Sequence, residues 1–301
     1  IIYLLSLIFF LVGIYKISFS KTTDSKEISN ISIILCVRNG ADTLPLILND
    51  FKNQNYSGNL EFIIIDDEST DNCKHIINQF IKDDNRFKYF NTKNIHSNLK
   101  HKKRALELGI SKARYDWLLF TDVDCRISED WALTMSKNFN SSNYIIGFSE
   151  IYASRTLVSK FQSIDFRMLM ISACSSTFMD YPLACTGQNQ SYKKNVFRNV
   201  EGYSKISDLL QGDDSIFLQI CRKSKDLKVS FSLDKKSYVI AKTHNNWKDF
   251  ILQRIRWAGD ANMMWRFNSM FYLIILSTFI ANFFILSLLF YNLLRLFLII
   301  I

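Results

Sequence analysis

Residues 117–124 read Trp-Leu-Leu-Phe-Thr-Asp-Val-Asp, an apolar run that ends in two aspartates one residue apart. A short, continuous apolar run is typical of a strand that is buried on both faces of a sheet. Carboxylates at the tip of such a strand suit a hard cation such as Mg²⁺ or Mn²⁺, which prefers oxygen ligands and bridges phosphate groups. Aspartate is also common in turns after strands, so Asp122 and Asp124 alone leave a purely structural interpretation open.

The same pattern occurs earlier in the chain, where residues 60–65 lead directly into Asp66 and Asp67. Further apolar runs predict strands at 31–37 and 87–90, and amphipathic stretches predict helices at 42–53, from about 69 to 80, and at 102–110. This alternation predicts an α/β fold with a parallel, doubly wound sheet, whose ligands bind at the carboxyl ends of the strands. Two acidic pairs at that edge favour a functional site over ordinary turns. We also expect Asp42 and Thr43 to cap the helix at 42–53.

A third acidic pair, Asp213 and Asp214, follows Gly212 and precedes an amphipathic stretch at 215–220. Aspartate at this position can cap a helix, because its oxygens accept backbone N–H bonds and complement the helix dipole. A carboxylate there can also act as a general base toward a hydroxyl group. The sequence does not separate the two roles, and one residue can cap while its neighbour acts as the base.

Both ends of the chain are apolar, and we predict a membrane anchor at 1–20 and a transmembrane segment at 269–301. A signal peptide is the alternative for the first run, but no small-residue cleavage site precedes Lys21. Lys16, Lys21 and Lys26 predict that the intervening domain, 28–245, faces the cytoplasm. Because the chain starts without methionine and stops within an apolar run, we expect it to be part of a longer protein.

The net charge of +9 and pI near 9.1 suit three kinds of partner, namely anionic lipid headgroups, an anionic nucleotide or nucleic acid. Lysine-rich surfaces are common, so the charge does not choose among them. The six cysteines form no Cys-x-x-Cys pair, which argues against a zinc site or a disulfide framework and fits a reducing compartment.

Residues 246–268 are rich in tryptophan and arginine and precede the second apolar run. This composition predicts an interfacial amphipathic helix on the membrane surface. Helical spacing places Phe250, Ile251 or Leu252, Ile255 and residues 257–258 on an apolar stripe, with Arg254 and Arg256 at its margins.

Several segments, in their order along the chain, resemble an inverting family-2 glycosyltransferase with the Rossmann-like GT-A fold. The resemblance covers roughly residues 31–257. Its elements are Val37-Arg38-Asn39-Gly40-Ala41, Ile65-Asp66-Asp67-Glu68-Ser69, Lys102-Lys103-Arg104-Ala105-Leu106, Thr121-Asp122-Val123-Asp124, Gly212-Asp213-Asp214 and the Gln-x-x-Arg-Trp motif of membrane-bound members, here Gln253, Arg256 and Trp257. The segment Thr186-Gly187-Gln188-Asn189 with Tyr192 resembles the acceptor side of the family.

The resemblance implies a role for each element. The nucleotide would bind at Val37, Asn39, Lys102 and Asp67, with Asp66 a near equal of Asp67. Asp122 would meet the ribose or the metal, Asp124 would ligate Mg²⁺ or Mn²⁺, and Asp214 would be the base, with Asp213 left to cap the helix or orient the site. Gln253, Arg256 and Trp257 would contact the diphosphate or the sugar.

Three residues depart from the family's pattern. His101 and Glu68 stand where the family often has glycine, so the backbone geometry of both loops is open. Asp213 stands where the polysaccharide synthases commonly have glutamate, which makes a close relation to cellulose or chitin synthases unsafe.

The function implied is transfer of a sugar from a nucleotide-diphosphate sugar, expected to be a UDP-sugar, to a lipid or growing glycan acceptor, with inversion at the anomeric carbon. A metal-dependent nucleotidyltransferase is the alternative among enzymes, but it would normally have a glycine-rich loop where this chain has only Gly40. A catalytically inactive, membrane-tethered relative is a further alternative. We expect no nucleic-acid partner, since carboxylates repel phosphate unless a metal intervenes.

Overall fold

A computed structural model of the protein describes residues 1–20, 28–93 and 95–300. Lys21 and Lys26, on which part of the orientation prediction depends, lie outside these residues. The strands are β1 (Ile31–Val37), β2 (Leu60–Asp66), β3 (Phe87–Asn91), β4 (Trp117–Asp122), β5 (Arg126–Ile127), β6 (Tyr144–Gly147), β7 (Ser149–Ile151), β8 (Gln190–Lys193), β9 (Val229–Ser232) and β10 (Val239–Ala241). The helices are α1 (Ile2–Ile17), α2 (Leu44–Lys52), α3 (Cys73–Asp83), α4 (Lys102–Lys112), α5 (Trp131–Ser136), α6 (Leu157–Phe178), α7 (Lys194–Asn199), α8 (Ser215–Cys221), α9 (Trp247–Met263) and α10 (Ser269–Ile300).

The first half of the domain follows the predicted alternation of strands and helices. The runs that predicted strands form β1 to β4. Nearly all side chains of β1, β2 and β4 are buried, whereas β3, at the edge of the sheet, buries only Phe87. The predicted helix caps are wrong for α2, because Thr43 occupies the N-cap position without a side-chain capping bond. Its hydroxyl instead donates to the Gly40 carbonyl at 3.4 Å.

The strands form a seven-stranded sheet of order β3-β2-β1-β4-β8-β6-β9 and a three-stranded sheet of order β5-β10-β7. β1, β2, β3 and β4 pair in parallel, but β8 is antiparallel to both β4 and β6. The prediction of a parallel sheet is therefore wrong beyond β4. The physical reason is that β8 starts beside the carboxyl end of β4, with Gln190 opposite Phe120, and so runs back from that edge.

The chain leaves β1 toward β2 on one side and returns to β4 on its other side, which creates a switch in strand order at β1. Such a switch opens a crevice at the carboxyl ends of the two strands. The register places Cys36 of β1 opposite Asp122 of β4, and Val37 opposite Asp66 of β2. The four predicted acids at the ends of β2 and β4, namely Asp66, Asp67, Asp122 and Asp124, thereby lie at one edge of the sheet.

Two apolar helices lie outside this domain core. Within α10, residues Ser269–Asn292 form a 24-residue stretch that is long and apolar enough to cross a membrane, with a mean hydropathy of 2.5. The 16 residues of α1 are fewer than the roughly 20 that a membrane span needs. α1 packs against α6, where the Ser175 hydroxyl donates to the Phe10 carbonyl at 2.6 Å and Gly13 leaves no room for a side chain beside Ser175.

The predicted amphipathic helix forms as α9, but its apolar stripe differs from the prediction. Phe250 is buried, and Trp257 is half-buried against Phe166 of α6. Arg254 stacks on the rings of Phe250 and Trp257 and pairs with Asp165 of α6, so it lies inward rather than at a margin. The exposed apolar residues are Trp247, Ile251, Leu252 and Ile255.

Both non-glycine residues that replace a family glycine keep a backbone conformation that favours glycine. The φ angle is +60° at Glu68 and +53° at His101, and His101 has a ψ of −141°. Side chains with a β-carbon are strained in these regions, at a cost of order 1–3 kcal/mol per residue. At both positions the backbone therefore keeps a conformation that favours glycine, and the side chains of Glu68 and His101 are accommodated as local strain.

This strain predicts that His101→Gly stabilises the protein. The relief of strain should exceed the entropy that glycine adds to the unfolded chain, giving a net gain of about 1 kcal/mol. Thermal unfolding should then show a Tm increase of about 2–4 °C. Lys100→Gly is the matched control, because Lys100 has no positive φ, and it should leave the Tm unchanged or lower it. A Tm for His101→Gly below that of the unaltered protein would contradict the assignment of strain.

Candidate functional site

A cavity of about 560 Å³ opens at the carboxyl ends of β1 and β4, where the strand order switches. It brings together seven of the residues that the sequence predicted for the site, namely Val37, Asn39, Asp67, Lys102, Asp122, Asp124 and Arg256. Asp213 is joined to this group through Lys102, whereas Asp66, Gln253 and Trp257 do not line the cavity.

Lys102, the first residue of α4, lies between the acidic residues of two segments. Its Nζ is 2.7 Å from Asp122 Oδ1 and 3.3 Å from Asp213 Oδ2. Burial alone would lower the pKa of Lys102, but the charges of Asp122 and Asp213 outweigh it and raise the pKa well above its ordinary value. Lys102 therefore stays positively charged and links the tip of β4 to the segment before α8.

No ion pair joins Asp124 to a basic side chain among the residues that the structure describes, although Lys242 lines the same cavity. Partial desolvation and then the neighbouring Asp122 carboxylate raise the pKa of Asp124. A divalent cation between the two carboxylates would remove this repulsion, and hard oxygen ligands suit Mg²⁺ or Mn²⁺. The described part of the chain contains no cluster of three or more metal-ligating side chains. Asp122 and Asp124 could thus hold a metal whose other ligands come from a diphosphate and water.

The sequence left Asp213 either to cap the helix or to orient the site, and in the structure the capping residue is Asp214. Asp214 is the N-cap of α8 and accepts a bond from the Ser215 backbone N–H. Its other oxygen lies 3.4 Å from the Gly187 backbone N–H, in the segment predicted to face the acceptor. Burial first, and then the Asp213 carboxylate, raise the pKa of Asp214 to about 7. A carboxyl group with this pKa can take up a proton near neutral pH.

The two carboxylates after β2 point to different places. Asp67 lines the cavity, and its Oδ1 accepts bonds from Thr92 Oγ1 at 2.7 Å and Arg104 at 2.8 Å. Asp66 instead accepts bonds from the Ser69 backbone N–H at 2.8 Å and the Tyr89 hydroxyl at 3.0 Å, which shape the loop. Asp67 is thus the one of the pair that is placed to meet a ligand.

Asn39 connects the loops that follow β1 and β2. Its backbone N–H donates to Ser69 Oγ at 3.0 Å, and its side-chain oxygen accepts from the Thr70 backbone N–H at 2.8 Å. The φ angle of +52° at Asn39 suits asparagine better than most residues. Asn39 therefore helps to fix one wall of the cavity as well as lining it.

The Gln-x-x-Arg-Trp motif separates into a cavity residue and two packing residues. Arg256 reaches the cavity, while Gln253 contacts Gln162 of α6 at 3.3 Å and Trp257 packs on Phe166 of the same helix. Asn189 is likewise occupied internally, since it accepts from Trp131 Nε1 at 3.0 Å and donates to two backbone carbonyls at 2.8 Å.

Three basic residues at or beside the cavity were not among the site residues predicted from the sequence. Arg38 follows β1 directly, so the rule that ligands bind at strand ends could have found it. Lys242 follows the three-residue strand β10, which left no clear signal in the sequence. Arg104 is the third residue of α4, and it bonds to Asp67, Glu68 and Thr92 at 2.8–3.1 Å.

The model of glycosyl transferase family 2 matches residues 32–200, which contain β1 to β4, the cavity acids after β2 and β4, and the segment at 186–189. The chain belongs to glycosyl transferase family 2. Its mixed sheet is that of the GT-A glycosyltransferase fold, as the resemblance predicted, although the sheet is not parallel throughout.

Among family 2 proteins, the chain is 27% identical over 170 residues to a poly-beta-1,6-N-acetyl-D-glucosamine synthase of Staphylococcus aureus. That match covers 55% of this chain and 40% of the relative, so the chain spans less than half the length of these synthases.

Two solved structures share the fold. Mannosyltransferase PcManGT from Pyrobaculum calidifontis, in complex with GDP-Man and Mn²⁺, superposes with a TM-score of 0.65 at 14% identity and covers 89% of this chain and 75% of its own. S. aureus TarS 1–349, in complex with UDP-GlcNAc, gives a TM-score of 0.51 at 15% identity and covers 79% of this chain and 67% of its own.

Proposed function

We propose that the protein is a membrane-bound, metal-dependent, inverting glycosyltransferase that moves a sugar from a UDP-sugar to a lipid or growing glycan acceptor. The observation that carries this proposal is the position of Lys102, which joins the Asp122 carboxylate at the donor cavity to Asp213 beside the proposed base. A single basic residue thus connects the place for a diphosphate with the place for an attacking hydroxyl.

The donor nucleotide would occupy the cavity between the ends of β1 and β4. Asp67, held by Thr92 and Arg104, can accept a hydrogen bond from the base or ribose, and Val37 and Asn39 form the adjoining wall. Arg256 and Lys102 can neutralise the diphosphate, because both line the same cavity. Two solved structures that share the fold are complexes with GDP-Man and with UDP-GlcNAc, which supports the proposal of a nucleotide-sugar donor.

Asp122 and Asp124 would hold a divalent metal, as supported by their mutual repulsion and by the Mn²⁺ in PcManGT. Mg²⁺ or Mn²⁺ bound there would supply a Lewis acid for the departing diphosphate. Lys102 and Arg256 add positive charge on the same side, which stabilises the negative charge that develops as the sugar–phosphate bond breaks.

Asp214 would act as the general base. Its carboxylate would take the proton of the acceptor hydroxyl as that oxygen bonds to the anomeric carbon, and the nucleoside diphosphate would leave from the opposite face. This single displacement inverts the anomeric carbon and needs no covalent intermediate. The Gly187 backbone and the Ser215 backbone hold Asp214 from two segments, which supports a fixed position for the base.

Asp214→Asn should reduce the transfer rate by about 10² to 10⁴, the range typical of removing general-base catalysis, while UDP affinity is kept. In the unaltered protein, kcat should fall as the pH drops below about 7, because protonation of Asp214 removes the base. Asp213→Asn removes the like charge that raises this pKa, so it should move the acid limb of the kcat–pH profile to lower pH. The role is contradicted if Asp214→Asn mainly loses UDP affinity.

Asp124→Asn tests the metal assignment without requiring activity. Electron paramagnetic resonance of Mn²⁺ in the presence of UDP should show affinity lowered by at least about tenfold, since even residues behind the ligands cost this much. Asp42→Asn is the matched control, because Asp42 also lines the cavity but is not one of the two proposed ligands. Equal Mn²⁺ affinity in both variants would place the metal elsewhere.

The membrane part of the proposal rests on two exposed apolar surfaces that meet. Phe161 of α6 contacts Trp247 of α9, with ring centroids 5.9 Å apart. The exposed apolar residues of each helix follow helical spacing and so lie on one side of it. On α6 they are Leu157, Phe161, Ile164 and Met168, and on α9 they are Trp247, Ile251 and Ile255. With α10 leading into the bilayer, this surface would lie on the cytoplasmic headgroup layer and hold the site near a lipid-linked acceptor.

A fluorescent label at this surface tests the membrane contact in the full chain. Ile251→Cys carrying the NBD fluorophore should show blue-shifted, stronger emission in anionic vesicles, because the label enters an apolar layer. Lys74→Cys on α3 is the control and should show no shift, since Lys74 is exposed on a polar helix face. The unaltered protein, with its native cysteines buried or half-buried, gives the background. Identical spectra at both positions would contradict the proposed surface.

A further inference from the structure

The side chain of Gln219 in α8 is buried and joins three parts of the chain. Its amide nitrogen donates to the carbonyls of Pro182 at 3.1 Å and Leu183 at 2.7 Å. Its amide oxygen accepts from Arg222 at 2.6 Å and from Asn268 Nδ2 at 2.7 Å. Both donors and both acceptor positions of the amide are therefore used, which is the full capacity of glutamine.

Asn268 lies at the start of the apolar helix α10. Its side-chain oxygen accepts from the Phe271 backbone N–H at 3.0 Å, which is a capping bond, and from the Tyr181 hydroxyl at 3.3 Å. The same side chain thus caps α10 with its oxygen and binds Gln219 with its nitrogen. The position of the first turn of α10 is fixed relative to α8 in this way.

The other end of α8 holds the proposed base. Ser215 exchanges two bonds with Cys185, its hydroxyl donating to the carbonyl at 2.8 Å and accepting from the N–H at 3.1 Å. Asp214 adds its contact to the Gly187 backbone. The segment 182–187 and α8 are therefore bonded together along their length, from Gln219 at one end to Asp214 at the other.

We propose that Gln219 and Asn268 are positioning residues, through which the start of the membrane helix α10 fixes Asp214 and the segment 182–187 for transfer. The inference rests on the proposed function, since it concerns the placement of the base. Neither residue lines the donor cavity, so they act on the transfer step and not on nucleotide binding. A base displaced by about 1 Å can lose 10²-fold in rate even when the altered residue is distant.

Two variants of the full chain break the junction from opposite sides. Asn268→Asp keeps the oxygen that caps α10 and the bond from Tyr181, but it replaces the nitrogen that donates to Gln219. Gln219→Met keeps the approximate volume and removes all of the amide bonds. Thr177→Val in α6 is the matched control, because it removes a buried hydrogen bond, from Thr177 Oγ1 to Ala173 at 2.8 Å, outside the junction.

The measurement is the maximal transfer rate divided by the number of UDP-binding sites. That number is taken from UDP titration of the same preparation. Both junction variants should lose 10- to 100-fold in this ratio with UDP affinity unchanged within about twofold, whereas Thr177→Val should keep the ratio. General destabilisation would lower the number of UDP-binding sites and the maximal transfer rate together, which leaves their ratio constant. A constant ratio in both junction variants overturns the proposal.

Asp214→Asn, measured in parallel, separates this outcome from failure of the proposed function. If Asp214→Asn loses transfer and the junction variants do not, the base assignment holds and the junction does not act on it. If Asp214→Asn itself retains transfer, the assignment of the base is wrong and the junction has nothing to position.

Discussion

Negative charge gathered at one edge of the sheet is the constraint that organises this site. Asp122 and Asp124 follow β4, Asp67 follows β2, and Asp213 and Asp214 precede α8. Carboxylates this close raise one another's pKa unless cations intervene. Lys102 and Arg104, two residues apart on α4, supply those cations, Lys102 to Asp122 and Asp213 and Arg104 to Asp67. The first turn of α4 is therefore as much a part of the site as the strands are.

Lys103, between these two basic residues, has a different environment. It is buried, and its Nζ donates to the backbone carbonyls of Ile206, Leu209 and Gln211. Burial lowers its pKa, although the charge of Asp213 opposes that change. Three consecutive basic residues thus have different partners. The first binds Asp122 and Asp213, the second binds backbone carbonyls at 206–211, and the third binds Asp67. Helical geometry makes this possible, because successive side chains point about 100° apart around the helix.

The parts of the fold that the sequence predicted are those with a strong local signal. β1, β2 and β4 are buried strands with largely continuous apolar runs, and the acids at the ends of β2 and β4 are adjacent to those runs. Both the strands and the edge of the site could therefore be inferred. β8 has the sequence Gln-Ser-Tyr-Lys and its direction depends on the position of the preceding segment, which no local pattern encodes. The inward position of Arg254 depends on Asp165 of α6, a contact between residues distant in the sequence. The sequence did not reveal that Asp214 caps α8, since either Asp213 or Asp214 fits the same pattern.

The antiparallel insertion of β8 has a consequence for synthesis on the ribosome. β1 to β4 come from one continuous stretch of chain, which leaves the ribosome before the other strands of the sheet. β8 can pair with β4 only after α6 has been synthesised. α8 emerges later still, and the cap of α10 after that. The edge of β4 therefore keeps unpaired backbone groups until β8 has been made, and such an edge can pair with other chains.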